Sequence, residues 1–409
     1  MRVALVHDFL TSYTGAERVT KVLADLFPQA PIFTLLYDQK KVGQIFPPDR
    51  VRPSFLQKLP QFIRQRRRLL LPFFPMAVEK FDLDEFDLVI SSSGAWVKGV
   101  VTRVNAQHIC YCHSPMRFAW DWTHEYQKEH KLRGLKGFIT NYLLNKIRVW
   151  DVISAQRVDH YVANSNAVKQ RIEKYYRLPA EIIYPPVDLS RFQNQEIKDR
   201  GYYLIVSRLE PYKHIQLAIE AVQALPDKRN LGTAFGGTPS VSGELVIVGE
   251  GSAGKQLAKL AQNNPKIRLL GNLPDAKVAK LYAHCHAFIF PGEDDFGIAP
   301  VEAMACGKPV VAFAAGGALE TVVEGKTGTF FTEPTVASLT DALKRLEANY
   351  QNFDQAAIKE QSKQFSQERF KESFQELVED LLAEKRLKIV HQHANSSSLR
   401  EKEETLIKS

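Results

Sequence analysis

Short apolar runs rich in Val, Ile and Leu recur along the chain, each followed by a polar or glycine-bearing loop and then by helical periodicity. Val3–Val6 comes first, with a loop from His7 to Thr14 and a helical pattern from Gly15 to Leu26. Runs of this kind read as strands buried on both faces, and parallel strands need crossover helices between them. Ile32–Leu36, Leu88–Ser91, Gln107–Tyr111 and His160–Ala163 continue the series. Pro185-Pro186 then interrupts regular structure. A second series starts at Tyr202–Val206 and continues through Leu245–Val248, Ile267–Leu270, Ala287–Phe290, Pro309–Ala312 and Gly328–Phe331. The expectation is an α/β chain of two doubly wound, Rossmann-like domains facing each other across a cleft.

With 409 residues, the chain has room for two such domains. The expected division is 1–183, 184–365, an amphipathic helix over 366–387 that packs back on the first domain, and a disordered tail over 388–409. Lys228–Gly243 reads as a loose surface loop. The formal net charge of +8 favours anionic partners. No nucleic-acid motif accompanies it, so nucleic acid is not an expected partner.

The four cysteines lack disulfide or zinc spacing and read as reduced thiols. The apolar part of Met1–His7 is too short for a signal peptide, and no apolar run reaches membrane-span length. A cytoplasmic protein is expected, with docking on the inner face of a membrane left open.

The densest chemical signal runs from Pro291 to Val311: strand end, acidic loop, helix, glycine stop and next strand. Phe296, Gly297 and Ile298 would present free amides at a helix start, which attract phosphate. Glu302 on that helix suits a ribose diol, or is simply an acid favoured by the helix dipole. Asp294 and its neighbour Glu293 sit at the strand end and face a sugar in this reading. Ser207, Arg208 and Lys213 follow the first strand of the second series, where ligands bind in such sheets. A guanidinium clamps a diphosphate and an ammonium adds a point charge.

These segments resemble retaining glycosyltransferase family 4, a GT-B fold group. Its signature has two acids with seven residues between them, followed by Gly-x-Pro-Val-Val. The wording from Pro291 to Gly307 resembles the branch that contains O-antigen mannosyltransferases, with Asp294 where Glu is common. The resemblance implies a nucleotide-diphosphate sugar donor, best matched by GDP-mannose, and a glycan or lipid-linked glycan acceptor. Arg208 and Lys213 would stabilise the leaving diphosphate. Asp294 or Glu293 would touch the sugar, and Glu302 the ribose. His113, after the strand ending at Tyr111, would face the donor sugar, with Arg117 and Asp121 on the acceptor side. Gly15, within Thr14-Gly15-Ala16-Glu17-Arg18, would let backbone approach the phosphate. Gly249, Gly271 and Leu273 would line the nucleotide, and Gly316-Gly317 would form a tight loop beside it. No cofactor or metal is implied.

Val51–Val78 contains no acidic residue and alternates Arg and Lys with Phe and Leu. It reads either as a face for an anionic membrane or as a core helix with a solvated basic flank. Three rival functions share the residues: a nucleotide-sugar epimerase, a glycosidase using Asp294 and Glu302, and an inactive scaffold.

Overall fold

The computed structural model describes residues 1–123, 134–193, 195–225, 243–262, 264–385 and 387. The expected loop at Lys228–Gly243, apart from Gly243, and the expected tail over 388–409 lie outside them.

Among the described residues the strands form two sheets. The first holds β1 (Val3–Leu10), β2 (Ile32–Tyr37), β3 (Val51–Pro53), β4 (Leu88–Ser93), β5 (Gln107–Cys112), β6 (His160–Ala163) and β7 (Glu181–Ile182). Their order is β3-β2-β1-β4-β5-β6-β7. The second holds β8 (Tyr202–Val206), β9 (Glu244–Val248), β10 (Ile267–Leu269), β11 (Ala287–Phe290), β12 (Val310–Phe313) and β13 (Gly328–Phe331), ordered β10-β9-β8-β11-β12-β13. All pairings are parallel, as in Leu5 against Ile32 and Leu204 against Val246. In both sheets the order reverses beside the first strand, between β1 and β4 and between β8 and β11. Such switch points open a crevice at the strands' carboxyl ends.

β1 runs four residues beyond the expected Val3–Val6. His7 and Asp8 stay in the strand, although polar, because both are buried and partnered. The Asp8 carboxylate accepts from the backbone N–H groups of Gly94, Ala95, Trp96 and Val97 at 2.6–3.0 Å, tying β1 to the turn after β4.

The first sheet carries apolar layers on both faces. Phe370, Phe374, Leu377 and Val378, on a helix over 367–385, join Leu5, Val19 and Tyr111 in one of them. The helix over 367–385 therefore packs on the first sheet, although it follows the second in sequence. Full burial of one such Phe stabilises by roughly 1.5–3 kcal/mol. All four cysteines are buried and unpaired.

Val51–Val78 is divided between core and surface. Leu56, Leu70, Phe74, Ala77 and Val78 are core, whereas Phe62 and Leu69 are 63% and 58% exposed and Phe73 and Met76 are half exposed.

Candidate active site

The two sheets present their switch points to each other. Gly15 begins the helix Gly15–Leu26 after β1, and a methyl group on its Cα would lie 3.3 Å from Ile298 Cδ1. The N-termini of two helices, one per sheet, therefore meet across the cleft. Thr14 is the cap rather than a second glycine: its N–H and Oγ donate to Glu17 Oε2 at 2.9 and 2.6 Å.

On the second sheet, Pro291–Gly297 leads from β11 into the helix Ile298–Ala305. Gly297 caps it with φ of 85°, and a Cβ there would strike Phe290 at 2.9 Å, so only glycine fits. The acidic loop is clamped from behind: Gly317 N–H donates to Asp294 O at 2.9 Å, and a Cβ on Gly316 would sit 2.2 Å from that oxygen. The three neighbouring acids diverge. Asp294 accepts from the Lys213 ammonium through both oxygens. Glu293 and Asp295 point at the first sheet's side, where both pair with Arg171, Glu293 at 3.2 Å.

Lys213 is buried beside this pair, and Arg208 is exposed, donating to the Tyr212 hydroxyl at 2.8 Å. Ser207 is half-buried and closes against β9, its N–H on Val248 O at 3.1 Å. Gly249, with φ of 132°, packs where a Cβ would lie 1.9 Å from Ser207 O, and donates to Gly271 O at 2.8 Å. Leu273 is half-buried on the second core. The strand ends of β8, β9 and β10 thus bring Ser207, Gly249 and Gly271 together.

Glu302 is buried and its carboxyl is raised, first by burial, against the opposing pull of Arg191 and Arg18. Arg191 donates to it at 3.1 Å and to Asp275 at 3.2 Å. Arg18 crosses from the first sheet's side to Asp275 at 2.8 Å. The buried Tyr282 hydroxyl faces the Glu302 carboxylate, which raises it further above its ordinary range after burial.

His113 continues β5, its N–H on Ser93 O at 2.8 Å. Its Nε2 pairs with Ser92 Oγ at 2.8 Å, and Ser92 Oγ also accepts from Thr20 at 2.9 Å. His7 Nδ1 lies 2.9 Å from Ser92 O and from Thr20 Oγ. Burial, with the nearby His7 second, pushes the His113 imidazole down to about 3. It is therefore neutral near pH 7 and able to donate one hydrogen bond and accept another.

Sequence reasoning missed His7, Thr20, Ser92, Arg171, Arg191 and Asp275. Of the two residues expected on the acceptor side, Arg117 lies 3.5 Å from Asp295 and Asp121 lies 3.1 Å from Arg171. These charges form a lattice that ties the two sheets' loops together. Glu320 adds a further tie, accepting from Asn166 N–H at 2.9 Å. The loop carrying Arg117 is fixed by buried Asp151, which accepts from Trp120 at 2.8 Å and Tyr176 at 3.0 Å.

Two family models tile most of the chain. Glycosyltransferase Family 4 matches residues 13–191, and Glycosyl transferases group 1 matches 187–371. The chain belongs to the family 4-like glycosyltransferases. Relatives include the alpha-1,3/1,6-mannosyltransferase of Dictyostelium discoideum, 24% identical over 59% of this chain and 62% of that protein. The O-antigen chain mannosyltransferase B of Escherichia coli is 31% identical over 33% of this chain and 32% of that one. The matches thus span less than two thirds of these relatives. Among solved structures, Anabaena HepE in complex with UDP superposes with a TM-score of 0.66 at 18% identity, covering 93% of this chain and all of that one. These structures share the GT-B fold.

Proposed function

We propose that this glycosyltransferase is a retaining enzyme that moves mannose from GDP-mannose to a glycan or lipid-linked glycan acceptor. The observation that carries the reading is the Lys213–Asp294 pair beyond the adjacent carboxyl ends of β8 and β11, beside the amide-bearing start of Ile298–Ala305. A donor diphosphate has cations, free amides and close-packed glycine backbone at one place. A glycosidase has no diphosphate to hold, and Lys213 already occupies the carboxylate it would need free.

In this reading the nucleotide lies along Ser207, Gly249, Gly271 and Leu273, with its ribose on Glu302. The diphosphate meets the amides of Gly297 and Ile298, the Gly15 backbone and the cations of Arg208 and Lys213. As the glycosidic bond breaks, charge develops on the leaving diphosphate, and those fixed donors stabilise it. Lys213 exchanges part of its bond to Asp294 for the phosphate, and Asp294 turns to a sugar hydroxyl. Neutral His113, held by Ser92, donates to the sugar on the opposite side. Glu293 is engaged with Arg171, which favours Asp294 as the sugar contact. In this reading the acceptor attacks on the face the diphosphate leaves, with no covalent intermediate on the enzyme.

An anionic membrane surface belongs to the same proposal. Phe62, Leu69, Phe73 and Met76 are exposed beside Arg64, Arg66, Arg67 and Arg68. No described helix is long and apolar enough to cross a membrane.

The test is nucleoside diphosphate release from GDP-mannose, UDP-glucose and other donors, with and without glycan acceptors. Product of the donor's own anomeric configuration supports the reading. Conversion of the donor sugar without acceptor would replace it with an epimerase.

A further inference from the structure

A second cavity opens on the first sheet, at the carboxyl ends of β1 and β2, with a volume of about 640 Å³. Thr11, Asp38, Lys40, Lys41, Arg64 and Arg67 are among its lining residues. Four of these are cationic and one is anionic. Asp38 is only loosely spent on Lys41, at 3.9 Å.

The two arginines are poorly compensated. Arg64 Nε is buried without a hydrogen-bond partner. Arg67 donates to Thr11 Oγ and lies over the Phe9 ring at 4.5 Å, and it pairs with no carboxylate among the described residues. Burial lowers the Arg67 guanidinium from its ordinary value, against the pull of Glu17. A guanidinium held in place but short of acceptors is a preformed anion site, since fork-shaped donors match phosphate oxygens.

The position is as informative as the charge. Thr11 starts the loop that reaches Thr14 and Gly15, and Gly15 touches Ile298 at the donor helix. The cavity therefore lies beside the loop that leads into the proposed site.

We propose that this cavity binds a phosphate group carried by the acceptor, a monoester or diphosphate, and so selects acidic acceptors. The inference rests on the transferase reading and deepens it by naming an acceptor class. Arg67 and Arg64 take the phosphate oxygens, Lys40 and Lys41 supply charge at the rim, and the acceptor hydroxyl reaches past Thr14 into the cleft. The phosphate can be free in solution or lipid-borne.

The experiment uses the intact chain and two arms. In the first, calorimetry follows inorganic pyrophosphate binding to the parent protein and to the Arg67→Gln, Lys40→Gln/Lys41→Gln and Arg208→Ala variants. In the second, flotation follows binding to phosphatidylcholine vesicles carrying an alkyl diphosphate, against phosphatidylcholine alone. Two pyrophosphate sites are expected, one weakened by roughly tenfold or more in Arg67→Gln and less in the lysine variant, the scale of one charge-assisted bond. Arg208→Ala removes the other site. A loss in the pyrophosphate arm assigns a free phosphate, and a loss confined to the vesicle arm assigns a lipid-borne one. Unchanged binding in both arms for both pocket variants overturns the proposal. If Arg208→Ala keeps both sites, the donor reading fails instead. The lysine variant, whose side chains are exposed, guards against misfolding of Arg67→Gln.

Discussion

The Lys213 ammonium donates to both carboxylate oxygens of Asp294, joining the ends of β8 and β11. Both side chains are largely buried, at 10% and 22% exposure. In the absence of ligand, the cation assigned to the leaving group is thus neutralised internally, and an entering diphosphate competes with Asp294 for it.

Removing that competitor should separate binding from chemistry. Asp294→Asn is expected to tighten nucleoside diphosphate binding by roughly threefold to tenfold, read by calorimetry. The same variant should lose about a hundredfold or more in turnover, because the sugar contact is lost. Weaker nucleotide binding together with normal turnover would contradict both roles.

Arg171 is the hub of the lattice between the two sheets, with Asp121, Glu293 and Asp295 around it. Arg171→Ala leaves the three carboxylates to Arg117 alone, at 3.5 Å from Asp295, 3.7 Å from Asp121 and 4.0 Å from Glu293. The expected result is a larger radius of gyration by solution scattering and a kcat/KM lower by about tenfold. High salt should narrow the scattering difference, since screening weakens the repulsion.

Arg191 is the nearest cation on buried Glu302. Arg191→Ala is expected to cost about 2–4 kcal/mol in urea denaturation at neutral pH, the scale of a buried charge that loses its partner. The Glu302 carboxyl is already raised by burial. A raised carboxyl means the folded state holds the proton more tightly than the unfolded state. Stability from this group is therefore present at acid pH and lost as pH rises through its folded value. The Arg191→Ala deficit should shrink on acidification, and Glu302→Gln in the same chain should recover part of it.

His113 titrates in the opposite sense. Its ordinary value is 6.5 and the folded value is about 3. Between these limits the unfolded chain binds a proton that the folded chain refuses, so stability falls as pH drops from about 6.5 toward about 3. Replacement by Asn should flatten that part of the stability profile. In the parent enzyme, the rate should show no acid limb near 6.5 from this imidazole. An acid limb there that His113→Asn abolishes would contradict a neutral His113.

The fold was legible because its strands are short apolar runs bounded by glycine and polar loops, which leaves little choice between helix and parallel strand. Where a strand used polar residues, the pattern failed: His7 and Asp8 look like loop until Ser92, Thr20 and the amides of residues 94–97 supply their partners. The residues proposed for the donor stood out in the sequence because one linear segment, from Pro291 to Glu302, carries six of them. Nothing linear distinguishes Glu293, Asp294 and Asp295, whose directions are set by Lys213 on one side and Arg171 on the other. Arg171 and Arg191 lie on elements with no motif of their own. The approach of the two sheets gives Arg171 its partners, and the packing of Ser190–Gln193 on the second sheet's helices gives Arg191 its own, each more than 100 positions away.

In the proposed site, the ends of β8 and β11 hold a nucleoside diphosphate. The direct measurement is the thermal midpoint of the purified protein with GDP, UDP, ADP and dTDP, beside an Arg208→Ala variant. A nucleotide at about a hundred times its Kd stabilises by about 2.7 kcal/mol, enough to raise the midpoint visibly. One of the four, GDP first, is expected to raise the midpoint of the parent and to leave Arg208→Ala unmoved. No shift with any of them, or an equal shift in the variant, would contradict the proposed site.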